Sequence, residues 1–213
     1  MIVFAHRGAP RHREEENTLP AFERAIALGA SGLESDIALT VDGIPVLTHP
    51  RLLARRLRIA ETRLADLPPH IPSLESLYER CGNAFHLSLD MAAPGAVDAV
   101  VAVADRHGAR ERLWLTYWRL STLAQWRGRW SDVHLVYPSI PVFPRRLDTL
   151  LGRLRDQRVD VLNVHHRFCT LALGTRVHAA GLQVFAWGVR RRGQIARVAR
   201  AGVEGVFCDD LEP

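Results

Sequence analysis

Short apolar runs alternate with stretches of helical spacing along the chain. Residues 2–5 read as a buried strand ended by His6-Arg7-Gly8, after which residues 18–28 place Leu19, Phe22 and Ile26 at helical spacing. Asn17 or Thr18 can cap that helix, and Gly29 can end it. Residues 31–40 predict a second strand, Asp42-Gly43 signals a turn, and residues 44–48 predict a short returning strand, making a hairpin. Further strands are predicted over 85–91, 113–117, 133–137, 159–164, 182–187 and 203–208. Helices are predicted over 73–80, with Ser73 as cap, and over 96–107, 120–126, 147–157, 171–180 and 195–201. Leaving the small hairpin strand aside, eight strands alternate with helices. That alternation argues for an α/β protein with a parallel sheet covered by helices. Eight such units fit a closed, compact (β/α)8 TIM barrel; a doubly wound open sheet is the second arrangement that fits. No repeat or linker divides the chain, so residues 1–213 read as a single domain.

Composition narrows the class without changing the fold. A chain of 213 residues with 47% hydrophobic and 24% charged side chains can bury an ample core without a disulfide or structural metal. All 28 basic side chains are arginine, and there is no lysine. The net charge of +5 gives a field that attracts anionic ligands such as phosphates, and is too modest to point to nucleic acid. Cys81, Cys169 and Cys208 are far apart and form no CxxC pair, which reads as reduced thiols in a cytoplasm. The first residues lack the pattern of a secretion signal, and no apolar run is long enough to span a bilayer. A cytoplasmic location is the expectation. Oligomeric state is not legible.

In a barrel, chemistry gathers where strands run out at their C-terminal ends. His6 and Arg7 end the first strand, and Glu34 and Asp36 lie on the second with the two-residue spacing that turns both to one face. His49 ends the hairpin, and Asp90 lies near the end of the third main strand. Carboxylates without soft ligands suit a hard divalent cation, Mg²⁺ or Ca²⁺. Imidazoles move protons near neutral pH, and an arginine fork matches phosphate oxygens. Together these parts describe phosphodiester cleavage better than acyl or hydride transfer. The histidines at 12, 70, 86, 107, 134 and 178 read as structural.

The order and spacing of His6-Arg7-Gly8, Glu16-Asn17-Thr18, Leu33-Glu34-Ser35-Asp36, Asp42-Gly43-Ile44-Pro45-Val46 and His49 resemble the N-terminal signature of the glycerophosphodiester phosphodiesterase family. The similarity continues through Ile71-Pro72-Ser73-Leu74-Glu75, Leu87-Ser88-Leu89-Asp90, Ala186-Trp187 and Gly202-Val203-Glu204-Gly205-Val206. The resemblance implies metal-dependent hydrolysis of a small-molecule glycerophosphodiester to glycerol 3-phosphate and an alcohol, a role in glycerol and lipid metabolism. It implies His6 and His49 as the acid–base pair, with their division of labour left open. It also implies Glu34, Asp36 and Asp90 as metal ligands, Arg7 on the phosphate and Trp187 in the substrate pocket. Asp209, after the eighth main strand, matches an acid common in the family and is taken as structural.

The chain departs from the pattern in places. Asp90 stands where glutamate is common, Ala92 where a phosphate-contacting lysine is frequent, and Pro50 where aspartate usually follows the second histidine. Arg51, Arg55, Arg56 and Arg58 are candidates to replace the lysine. The segment 50–72 is short, which implies a reduced insertion region and a more open site. Two alternatives follow: a phosphodiester-binding protein with weak or no turnover, and an enzyme acting on lysophospholipids. For the second, the aromatic segment 114–118 with Trp126 and Trp130 could touch a membrane. The near-helical spacing of Trp118, Trp126 and Trp130 favours a place in the core instead, so membrane contact is not expected. His165-His166 could reach substrate from the end of the sixth strand, and Arg190-Arg191-Arg192 reads as a solvated turn.

Overall fold

The computed structural model describes residues 1–12, 15–49, 58–139, 144–190 and 192–211; expectations resting on Pro50, Arg51, Arg55, Arg56 and Arg191 fall outside them. Nine strands are seen: β1 (Ile2–His6), β2 (Gly32–Leu39), β3 (Pro45–Leu47), β4 (His86–Asp90), β5 (Leu113–Thr116), β6 (His134–Ser139), β7 (Val161–His165), β8 (Gln183–Val189) and β9 (Gly205–Cys208). Their order is β1-β9-β8-β7-β6-β5-β4-β2-β3, and β1 also pairs with β2. Eight parallel strands therefore close into a barrel, and the open-sheet alternative falls away. β3 hangs antiparallel on β2, with Ile37 opposite Leu47, which is the expected hairpin.

Among the described residues the helices are α1 (Leu19–Ala27), α2 (Leu74–Cys81), α3 (Val97–Arg106), α4 (Leu120–Arg129), α5 (Pro144–Asp156), α6 (Leu171–Ala179) and α7 (Arg192–Arg200). Their ends follow local chemistry. The Thr18 side chain accepts from Ala21 N to start α1, which buries Ala21, Phe22 and Ala25. Ser73 caps α2 by accepting from Ser76 N at 3.0 Å, and Gly82, at a φ of 73°, ends it. α5 and α7 begin earlier than their apolar spacing predicts.

Three apolar clusters hold the barrel. The largest lies between the strands and the helices. A second fills the barrel interior with Phe4, Trp114, Val136, Val161, Phe185 and Phe207. A small third packs Val46, Ile59, Leu67 and Ile71 beneath the hairpin. There the shortened insertion region forms two single 3-10 turns, Ile59–Glu61 and Leu64–Asp66. Close packing inside the barrel demands small neighbours. A Cβ on Gly32 would stand 2.5 Å from the Phe4 ring, and one on Gly205 2.7 Å from Phe185.

One expected core position is corrected. Trp126 is buried at 4% exposure, but Trp118 is 60% exposed because α4 begins only at Leu120, so the two never share a helix face. Arg119 lies over the Trp118 ring at 4.8 Å. Three of the histidines read as structural have structural partners: His107 meets Glu75 at 2.7 Å, His178 meets Glu204 at 2.8 Å, and His134 stacks on Trp114. Among the described residues no helix is long and apolar enough to cross a membrane.

Candidate active site

Side chains two residues apart on a strand share a face. Two positions beyond the aromatic layer, the barrel interior changes character. Phe4 is followed by His6, Gly32 by Glu34, Trp114 by Thr116, Val136 by Pro138, Val161 by Asn163, Phe185 by Trp187 and Phe207 by Asp209. All of these second residues, with Asp90, line one cleft of about 720 Å³ at the C-terminal ends of the strands. That size is ordinary for a small-molecule site.

His6 sits between two carboxylates. Its Nδ1 lies 2.6 Å from Asp209 Oδ1, and its Nε2 lies 3.8 Å from Glu34 Oε2. Burial works against the charged ring, but the Glu34 charge and the Asp209 hydrogen bond outweigh it and push the pKa up to about 9. Asp209, taken from the sequence as structural, therefore contacts the candidate catalytic ring directly. Its partner His6 is 203 residues away, and no local pattern joins them.

The turn after β1 is held in an unusual backbone. Arg7, Ala9 and Asn17 have φ of 53°, 47° and 60°, and Gly8 has 81°. Non-glycine residues adopt this region at a cost, and such strain gathers at functional sites. Here it is held by Arg7 N donating to Glu34 Oε2 at 2.9 Å and by Asn17 N donating to Arg7 O at 3.0 Å. A Cβ on Gly8 would press to 2.9 Å from Ala21 Cβ, so α1 also requires glycine there. The Arg7 guanidinium pairs with Glu16 at 2.9 Å and faces Asp36 at 3.6 Å. Glu16, part of the N-terminal signature but given no role from the sequence, is thus a neighbour of the site. Asn17, 2% exposed, accepts from the Ser35 hydroxyl at 2.7 Å and ties the turn to the back of β2.

Asp36 and Asp90 are register partners on adjacent parallel strands, with Glu34 two residues before Asp36. Burial first, then the charges of Glu34 and Asp90, raise the Asp36 pKa to about 8. Asp90 is open to the solvent of the cleft, yet crowding by protein atoms and the Glu34 charge raise it to about 7. As placed, no three His, Cys, Asp or Glu side chains among the described residues are arranged to hold a metal ion. The chemistry of the donors nevertheless fits one. Three carboxylates repel one another, and Asp36 Oδ2 is buried without a hydrogen bond. A divalent cation with oxygen ligands would satisfy both.

His49 is half-buried, and Thr48 N donates to Asp36 O at 3.0 Å, which carries His49 to the acidic strand. His49, Arg7 and Asp36 do not line the cleft; His6, Glu34, Asp90 and Trp187 do. Trp187 is 40% exposed, and the His165 ring meets it edge-on at 4.5 Å. His165, His166 and Arg190 also line the cleft, so Arg190 is more than a solvated turn. Arg58 pairs with Glu61 at the surface instead.

The matching family model, described as the glycerophosphoryl diester phosphodiesterase family, covers residues 6–70 and 91–212. The chain belongs to this family. Membership makes it a phosphoric diester hydrolase, and the resemblance drawn from the first fifty residues holds along nearly the whole length. A probable glycerophosphodiester phosphodiesterase 2 of Mycobacterium tuberculosis is 32% identical, over 98% of this chain and 87% of that protein. Among solved structures, the glycerophosphodiester phosphodiesterase of Thermotoga maritima matches with a TM-score of 0.83 and 23% identity, covering 100% of this chain and 96% of that one. An Oleispira antarctica phosphodiesterase, solved with the product sn-glycerol-3-phosphate, matches with a TM-score of 0.81 and 23% identity, over 98% and 93%. At this identity the structural matches speak for the barrel alone.

Proposed function

We propose that this chain acts as one domain that hydrolyses glycerophosphodiesters to glycerol 3-phosphate and an alcohol. The observation that carries the reading is His6, held between Asp209 and Glu34 on the floor of a cleft that also presents Asp90. Glu34, Asp36 and Asp90 would hold a divalent cation, Mg²⁺ or Ca²⁺. Bound there, it would polarise a phosphoryl oxygen and offset developing negative charge.

The remaining work falls to the chain's own side chains. Arg7 lies beside the acidic strand and, with five donors in a fixed fork, can keep Glu16 while offering N–H groups to the phosphate. Asp209 on Nδ1 fixes the His6 ring and leaves Nε2 on the Glu34 side. Hydrolysis needs one imidazole to take the proton of the attacking hydroxyl and another to protonate the leaving alcohol oxygen. His6 and His49 are the pair for those steps. Trp187 supplies a flat wall for the glycerol or alcohol arm.

Replacing Glu34→Ala and His49→Ala separately tests this. Each should lower metal-dependent kcat/KM by about 10²–10⁴-fold with the fold intact by circular dichroism. Survival of activity in either variant removes that residue from the scheme. A panel of glycerophosphodiesters also separates enzyme from binding protein, since tight binding without turnover would favour the latter. The exposed Trp118 beside Arg119 gives the lysophospholipid reading its one physical support. Co-sedimentation with liposomes decides it.

A further inference from the structure

The cleft is divided by charge. Its β1, β2 and β4 side presents His6 between carboxylates, with Glu34 and Asp90. The lining contributed by residues 163–194 contains no carboxylate at all. It carries two guanidinium groups instead. Arg167 stands in the 3-10 turn His166–Phe168 that follows β7, and Arg190 directly follows β8. The Arg167 guanidinium makes no hydrogen bond or ion pair among the described residues. Arg190 is 78% exposed and approaches Asp209 only to 3.5 Å, while Asp209 gives its short contact to His6. The Trp187 ring lines the same cleft. The neighbouring His165 and His166 are disfavoured as cations by loss of solvent and by nearby arginines, so guanidinium groups dominate this wall.

This wall is built for an anion. An arginine fork takes phosphate or carboxylate oxygens two at a time. A quaternary ammonium group needs aromatic faces or carboxylates around it, and on this wall it would meet one tryptophan and two like charges. We infer that Arg167 and Arg190 read the arm of the diester lying along β7 and β8. The substrates this site prefers are glycerophosphodiesters whose alcohol itself bears an anionic group, over those whose alcohol bears a quaternary ammonium. The inference rests on the proposed glycerophosphodiester hydrolysis and names the substrate class within it. It also gives a place to cations that the chain, lacking lysine and carrying Ala92, must supply as arginine.

The test compares kcat/KM, at low ionic strength with a divalent metal, for three glycerophosphodiesters. Their alcohols are choline, glycerol and glycerol phosphate. The phosphorylated arm should be favoured over choline by about tenfold or more, the scale of one or two charge-assisted hydrogen bonds. High salt should shrink the ratio. Arg167→Gln, an exposed substitution, should remove most of the preference, lowering kcat/KM for the phosphorylated arm more than for the choline arm. Arg167→Glu should favour choline. Equal turnover of all three, or a ratio untouched by both variants, overturns this inference and leaves the hydrolase reading standing. Hydrolysis of none of the three overturns the hydrolase reading, and this inference with it.

Discussion

The lower and upper layers of the barrel interior are made by the same strands, two residues apart, and they obey opposite rules. Below, Phe4 stacks on Phe207 at 5.0 Å, tilts against Phe185 at 5.6 Å and meets Trp114 edge-on. Every side chain of that cluster is 5% exposed or less. Above, His6, Glu34 and Asp90 crowd like and unlike charges together, and Asn163 Oδ1 is buried without a hydrogen-bond partner. A buried polar atom without a partner costs stability, and so does a buried charge beside its like. The lower layer supplies burial; the upper layer holds groups poised to meet a ligand. Removing a side chain should therefore have opposite consequences in the two layers.

The largest effect is expected below. Phe4→Ala deletes the ring at the centre of the lower cluster and should cost about 3–5 kcal/mol in urea unfolding. Gly32→Ala attacks the same contact from the other side and should cost about 1–3 kcal/mol, since the Phe4 ring must move to admit the new Cβ. Activity per folded molecule should persist in both. A Phe4→Ala protein as stable as the parent would show that the aromatic layer does not support the barrel.

Above, removal of charge should stabilise. Asp36 and Asp90 hold their protons in the metal-free fold to a higher pH than in the unfolded chain. The folded state then binds more protons than the unfolded state, so stability falls as pH rises from the ordinary carboxylate range to about 8. His6 acts in the same direction, because its raised pKa gives stability that is full below its unfolded value near 6.5 and is lost toward about 9. In chelator, the parent should melt lower at pH 8 than at pH 5.5. Asp36→Asn should recover roughly 4–8 °C at the higher pH, the shift that about 2 kcal/mol makes in a chain of this size. Mg²⁺ or Ca²⁺ should raise the parent's Tm more at pH 8, where protons compete less, and should do little for Asp36→Asn. A flat melting profile in chelator would mean that the three carboxylates do not share one field.

A smaller effect is expected for Asp209→Asn, which keeps the shape of the His6 contact and removes its charge. Activity should fall by about 10- to 100-fold, a share of the acid–base contribution, with a small loss of stability at pH values where His6 is charged. The His6 proton signal followed by NMR should titrate lower than in the parent. An unmoved titration would return Asp209 to a purely structural role.

Much of this was legible in the sequence where the signal is local. The strand runs, the Thr18 and Ser73 caps and the Asp42-Gly43 turn each rest on a few adjacent residues. Glu34 and Asp36 could be paired because spacing along one strand fixes their common face. Asp209 needed the closed barrel, since closure alone brings β9 beside β1, and Glu16 needed the left-handed backbone of the turn after β1, which folds it back onto Arg7 nine residues away. Asn163 and Thr116 had a signal that was not used: each lies two residues beyond an apolar residue that fills the lower layer. Trp118 misled because helical spacing was counted from a residue that precedes the helix.

The smallest expected effect lies where the two layers meet on β8. Phe185 belongs to the lower cluster, and Trp187, two residues on, belongs to the cleft wall. Trp187 packs against His165 yet keeps 40% of its surface exposed, so its loss should disturb the fold far less than loss of Phe185. If the ring serves as a flat wall for a bound arm, it holds ground and transition states alike. Trp187→Ala should then raise KM by about three- to tenfold and leave kcat nearly unchanged, with Tm within a few degrees of the parent. A fall in kcat at constant KM would instead move Trp187 into the upper layer's chemistry. Gly188, whose added Cβ would meet the His165 ring at 2.9 Å, sharpens the same point. Gly188→Ala must displace His165 from Trp187, and a KM change matching that of Trp187→Ala would assign the wall to the pair.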